Sequence, residues 1–139
     1  TLYRALLVSN LVTLHEKTGI GRLSAYCGAV SAGAGAGAGI AYLYGGGYEE
    51  FAHTVVNALA ITSGIGCDGA TSSCAAKIAA SVDAGILGYE MFRQGQQFYD
   101  GDGLVLKGVE NTIRNISHLG KVGMRETDRE IIRMMTERV

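Results

Sequence analysis

A chain of 139 residues with 12 basic and 13 acidic side chains, 47% hydrophobic residues and a net charge of -1 is sized and balanced for one domain with a real core. No basic stripe interleaved with aromatics is present to track a phosphate backbone, so nucleic acid is excluded as an expected partner. Proline is absent and the 21 glycines sit inside apolar segments rather than in Ser-rich linkers, which argues against disorder and against a second domain. The residues 1–139 therefore read as a single helical domain. No basic and apolar succession with a cleavage site marks a secretory leader, and the opening at Thr1 suits a fragment of a longer protein.

In chain order, Leu2, Leu6, Leu7, Leu11 and Leu14 recur at helical spacing, so an amphipathic helix is predicted from Leu2 to His15. Gly19 and Gly21 then predict a loop through "EKTGIGRLS". A Gly/Ala stretch follows, ended by Gly45 to Gly47. Helical periodicity resumes from about Tyr48 to Ile61 and again from about Ser73 to Phe92, with Thr71 to Ser73 offering N-cap side chains. "YDGDGL" is a turn by its Asp-Gly pairs and lacks the ligands of a calcium loop. "GVENTIRNISHL" carries Val109, Ile113, Ile116 and Leu119 on one face, and "TDRE" at 127–130 matches a capping box before "IIRMM". Only the brief "LVLKGV" has strand character. The fold class is therefore all-α, a compact bundle of five or six helices.

The stretch "CGAVSAGAGAGAGIAYLY" admits three readings. Cross-β stacking needs many chains and a longer repeat, and is discarded. A membrane span is suggested by the absence of charge from Leu23 to Tyr44 and by the small-xxx-small pairs Gly33/Gly37 and Gly35/Gly39, but bulky aliphatics are too few for favourable transfer. A buried helix remains. Four interior glycines there give up roughly 3 to 4 kcal/mol of helix preference, which close packing against helices or a bound group must offset.

Three cysteines, Cys27, Cys67 and Cys74, cannot close into disulfides without a remainder, and a reduced, cytoplasmic setting fits them. Their bland reading is three small core residues. Zinc is disfavoured because no Cys-x2-4-Cys pair occurs, and His15, His53 and His118 fall in helical segments. Soft thiolates at irregular spacing suit an iron-sulfur cluster, and "CDGATSSC" can curl before its helix begins. Cys74 then falls near a helix N-terminus.

At these residues the chain resembles a known family. "GRLSAYCGAVSAGAGAGAGIAYLYGG", "GIGCDGATSSCAAKIAASVDAGILGYEM" and "GMRETDREIIRMM" are similar to the C-terminal part of the L-cysteine desulfidases, relatives of the α-chain of iron-sulfur L-serine dehydratases. The resemblance implies that Cys27, Cys67 and Cys74 hold a [4Fe-4S] cluster with one iron open. It also implies a lyase that turns L-cysteine and water into sulfide, ammonia and pyruvate without pyridoxal phosphate. Serine dehydratases draw a further ligand from a later segment, and no cysteine follows Cys74, so the desulfidase branch fits better.

Ser31, Asn57 and Ser63 are the candidate donors for a substrate carboxylate. The catalytic base is expected in an N-terminal domain of the same protein, so the isolated chain is expected to bind a cluster, where air has not removed it, without turnover. A homo-oligomer is left open. The rival expectations are an L-serine dehydratase-like enzyme and a noncatalytic helical module, structural or membrane-associated, dimerising through Gly33 and Gly37.

Overall fold

The computed structural model describes residues 1–22 and 24–137; Leu23, the first residue of the uncharged stretch, lies outside them. The described residues form six α-helices: α1 (Leu2–Ile20), α2 (Gly28–Leu43), α3 (Tyr48–Thr62), α4 (Ser73–Arg93), α5 (Val109–His118) and α6 (Arg125–Thr136). One turn of π-helix, Leu119–Gly123, joins the last two. The all-α expectation and the buried Gly/Ala helix are both borne out.

The architecture follows from α2. Its alternating Gly-Ala pattern, wound at 3.6 residues per turn, sorts small side chains onto separate faces. Gly33 and Gly37 meet α4, where a Cβ on Gly37 would come within 2.8 Å of Gly85 Cα and one on Gly33 would run into the Ser81 backbone. Gly35 and Gly39 meet α1, where a Cβ on Gly39 would lie 2.9 Å from the Ala5 carbonyl and one on Gly35 would lie 2.6 Å from that of Ser9. Val30, Ala34, Ala38 and Ala41 are buried, and Val30, Ala34 and Ala38 share the core with Val55, Ala58 and Leu59 of α3. The glycines therefore serve helix-on-helix approach on two sides at once, and dispersion across those seams offsets their poor helix preference.

Helix α1 runs past the expected end at His15 to Ile20. Gly19 lies within it, at a position where the Ser117 side chain leaves no room for a Cβ, and the chain breaks only at Gly21, whose φ of 96° is left-handed. The helix also turns its leucines outward. Leu7, Leu11 and Leu14 are 59–63% exposed, while Ala5, Glu16 and Ile20 are buried. The inward face is chosen by α2: only small or slender residues fit against Gly35 and Gly39.

Two expected caps are not used. The hydroxyls of Thr71 and Ser73 bond each other at 2.7 Å, and Ser72 occupies the N-cap of α4 without a side-chain bond. Helix α6 begins at Arg125, so Thr127 already lies in its first turn, and "TDRE" is not its cap. At α3 the N-terminal role falls to Glu50, which accepts the Gly47 N–H at 2.7 Å; that bond holds its carboxyl below the ordinary range. No helix among the described residues is long and apolar enough to cross a membrane.

Candidate functional site

The cysteines gather at the end of the bundle where α2 and α4 begin and α3 ends. Cys27 is the N-cap of α2, in extended conformation, and is buried. Its N–H donates to the Ile65 carbonyl at 3.2 Å, the Cys67 N–H donates to the Ala25 carbonyl at 2.6 Å, and Tyr26 and Gly66 form an antiparallel bridge between them. This short ladder, outside any strand, joins the segments of Cys27 and Cys67, far apart in sequence, with the two cysteines set diagonally, one residue to either side of the Tyr26–Gly66 pair. Gly69, at a φ of 95°, then turns the chain back toward α4. Cys74 enters the first turn of that helix and its thiol donates to the Gly69 carbonyl at 3.3 Å.

Lys77 ties these segments together. It follows Cys74 by one helical turn, so it shares that residue's face of α4. Its Nζ donates to the Gly66 carbonyl at 3.0 Å and to Asp68 Oδ1 at 2.6 Å, the two residues flanking Cys67. The Asp68 bond raises the lysine's pKa above its ordinary value, with the nearby thiols of Cys27 and Cys74 pushing the same way, and the lysine in turn holds Asp68 low. The lysine's spacing from Cys74 was legible in the sequence, but its partner across the loop was not. Helix α6 approaches from outside, with the Met135 methyl lying against Gly69.

The three cysteines are unpaired. Among the described residues no three His, Cys, Asp or Glu side chains converge on the position of a single metal ion. Thiolates around a polynuclear cluster bind different irons and need no such convergence. A donor set of three soft thiols, with Asp68 already neutralised by Lys77, fits an iron-sulfur cluster better than a hard cation.

The candidate carboxylate donors divide. Ser31 lies in the turn of α2 that follows Cys27; it is wholly buried and its hydroxyl meets no partner. Ser63 is the half-buried C-cap of α3, two residues before Ile65. Asn57 is elsewhere. Its amide donates to the Gly88 carbonyl at 3.0 Å and its oxygen accepts the Phe98 N–H at 3.3 Å. Gly88 stands 14 residues beyond Cys74, about 21 Å along α4, so Asn57 holds the far half of the bundle together.

A further residue was hidden in the stretch read as a loop. Glu16 is 2% exposed and both carboxyl oxygens lack partners, as does the phenol of Tyr26. Burial with no compensating charge pushes the Glu16 carboxyl well above the ordinary range. The Tyr26 phenol is pushed up as well, first by burial and then by Glu16 and Cys27. No periodicity signal marks Glu16, because the helix was expected to end one residue earlier.

An all-α bundle built on a central glycine helix, with three unpaired thiols collected where two helices begin, defines a narrow class of helical thiol-bearing domain. The chain belongs to the serine dehydratase alpha chain family, which it matches over residues 1–133. It is 73% identical over 134 residues to a UPF0597 protein of Desulfitobacterium hafniense, an alignment covering 96% of this chain and 31% of that protein. Similar proteins of Lachnoclostridium phytofermentans and Treponema denticola are 54% and 50% identical, over 32% and 31% of their lengths. The chain thus spans about a third of the length of the curated relatives it matches. No solved structure matches it.

Proposed function

We propose that this chain is the cluster-holding part of an iron-sulfur lyase that removes the β-substituent of a small amino acid in the cytoplasm, L-cysteine being the preferred substrate and L-serine the closest rival. The observation that supports this reading is the ladder at Tyr26 and Gly66, which joins the Cys27 and Cys67 segments while Lys77 ties the Cys67 segment to the Cys74 helix.

Cys27, Cys67 and Cys74 would hold a [4Fe-4S] cluster through three of its irons. When bound, the cluster supplies a Lewis acid for the departing sulfur or oxygen at the iron that has no protein ligand. The chain's own residues bind and orient. The N–H groups of Gly28 and Ala29, ahead of the Val30 N–H that donates to the Cys27 carbonyl, are with the Ser31 hydroxyl and Ser63 the donors for a substrate carboxylate. Lys77 keeps one ammonium N–H beyond the two it spends on Gly66 and Asp68. Elimination breaks the Cα–H and Cβ–S bonds: the proton passes to a base and sulfide leaves with the bonding pair. The resulting enamine takes up water to give pyruvate and ammonia. The base belongs to the polypeptide outside this chain, so the chain by itself binds the cluster without turning over.

Anaerobic reconstitution with iron and sulfide tests this directly. About four of each per chain, lost in Cys67→Ala, is the expected result. Iron that is absent, or equal in the two proteins, returns the cysteines to the role of core residues. Sulfide released from L-cysteine by the isolated chain would overturn the assignment of the base.

A further inference from the structure

The outward face of α1 is an anomaly for a helix of a small bundle. Tyr3, Leu7, Leu11 and Leu14 are 81%, 59%, 63% and 62% exposed, while the side turned to α2 carries Ala5, Ser9, Thr13 and Glu16. Exposed leucines forgo the gain of burial, and contiguous apolar patches of this kind mark interaction sites. The pattern is specific. Tyr3, Leu7, Asn10 and Leu14 are spaced four, three and four residues apart, the seam that a second helix packs into, with one polar position inside it. The exposed charges beside the seam are Arg4 at its start and, beyond Leu14, the Glu110 carboxylate bonded to His15 at 2.8 Å, with half-buried Lys17 past it. An apolar groove of about 210 Å³ continues the surface from Leu11 toward Phe51 and Val55 of α3 and Val109 and Ile113 of α5.

We propose that this face seats a helix from the polypeptide that makes up the other two-thirds of the relatives' length. The alignments to this chain cover 31–32% of three relatives, so about two-thirds of each lies outside the matched segment and can supply such a helix. The incoming helix presents apolar residues at the same 3.5-residue spacing toward Leu7, Leu11 and Leu14, and acidic side chains toward Arg4. Such docking deepens the lyase reading, since it names the surface on which the base-bearing part is fixed. It does not depend on a cluster, and its test needs no iron.

Leu14→Cys places a thiol on the exposed seam without disturbing the core. Its alkylation by a bulky maleimide, read by peptide mass so that the three native cysteines do not interfere, is compared in two molecules. One is this chain alone; the other is the full-length Desulfitobacterium hafniense protein with its matching third replaced by this chain. At least about tenfold slower alkylation in the full-length protein, with fast alkylation in the chain alone at every concentration, is the expected result. Carbene labelling of the unsubstituted proteins reads the same face should the cysteine variant misfold. Equal reactivity in both molecules overturns the proposal. Protection in the chain alone that vanishes on dilution assigns the seam to a second copy and also overturns it, as does protection that appears only with lipid vesicles.

Discussion

The seam between α2 and its neighbours and the cysteine end of the same helix are built on opposite principles. Along the seam, backbone meets backbone: Gly37 against Gly85, Gly33 against Ser81, Gly39 against Ala5. At the cysteine end, Gly28 has only the Lys17 amine near it, and position rests on two ladder bonds and the reach of one lysine. The seam cannot yield because backbone atoms have no rotamers to change. At the cysteine end Cys67 and Cys74 are half-buried, while Tyr26 and Cys27 belong to the core. The domain thus packs backbone on backbone along α2 and carries its thiols on short segments fixed by a few backbone and side-chain bonds.

The largest effect should come from breaking the seam. Gly37→Leu drives a side chain into the Gly85 backbone and should cost more than about 3 kcal/mol, enough to unfold a marginal domain, as read by loss of the cooperative thermal transition. Gly28→Ala, in the same helix but at the open end, should leave the midpoint within about 1 kcal/mol of wild type. Equal effects at the two positions would erase the contrast.

Glu16 lies where the two regions meet, and its substitution should stabilise. Glu16→Met removes two unpartnered buried oxygens while keeping the volume, a gain of about 1–3 kcal/mol at neutral pH by denaturant titration. The sign follows from its raised pKa. Between the ordinary carboxylate value and that raised value the folded chain holds a proton that the unfolded chain has released, so rising pH favours unfolding. The advantage of the variant should therefore grow as pH rises above the ordinary carboxylate range. A variant whose advantage is flat with pH would show that Glu16 is not held protonated.

Much of the seam was legible in sequence and little of the site's geometry was. Helix positions followed from periodicity, and the alternation from Ala32 to Gly39 announced close approach before any neighbour was known. What periodicity cannot supply is direction. The leucines of α1 marked a face, but which face turns inward was decided by Gly35 and Gly39 on another helix. Similarly, the identities of Cys27, Cys67 and Cys74 were readable, while the bridge that pairs their segments is a long-range contact with no local signature. The capping reading of Thr127 failed because the π turn carries the chain directly into α6 at Arg125.

Lys77→Met should separate site from fold more sharply. The variant keeps the aliphatic stem against α4 and loses the bonds to Gly66 and Asp68. The thermal midpoint of the apo chain should stay near wild type, whereas cluster occupancy after reconstitution should fall about tenfold, because the Cys67 segment is no longer held. Lys77→Arg, which keeps the charge and the donors, should restore most of the uptake. Full occupancy in Lys77→Met would show that the Tyr26–Gly66 ladder positions the thiols unaided.

The smallest effect is the pH range of that clamp, and it tests whether the cysteine end is held separately from the seam. Asp68 has its carboxyl lowered chiefly by the bond from Lys77, so its contribution is present above the ordinary aspartate value and is lost as pH falls through the lowered one. Lys77 is raised chiefly by Asp68, so its contribution is present below the ordinary lysine value and is lost as pH rises through the raised one. Between those limits both groups are charged and the loop is closed. Hydrogen exchange of the Gly66–Ser73 amides, corrected for the intrinsic pH dependence, should accelerate as pH falls into the range where Asp68 takes up its proton, while the α2 amides beside Gly35 and Gly37 stay protected. Asp68→Asn should show the accelerated loop exchange already at neutral pH with a nearly unchanged thermal midpoint, because Asp68 is exposed, Lys77 is only partly buried and a pair so placed adds little to global stability. If loop and seam amides accelerate together, the two regions open as one unit and the separation drawn between them fails.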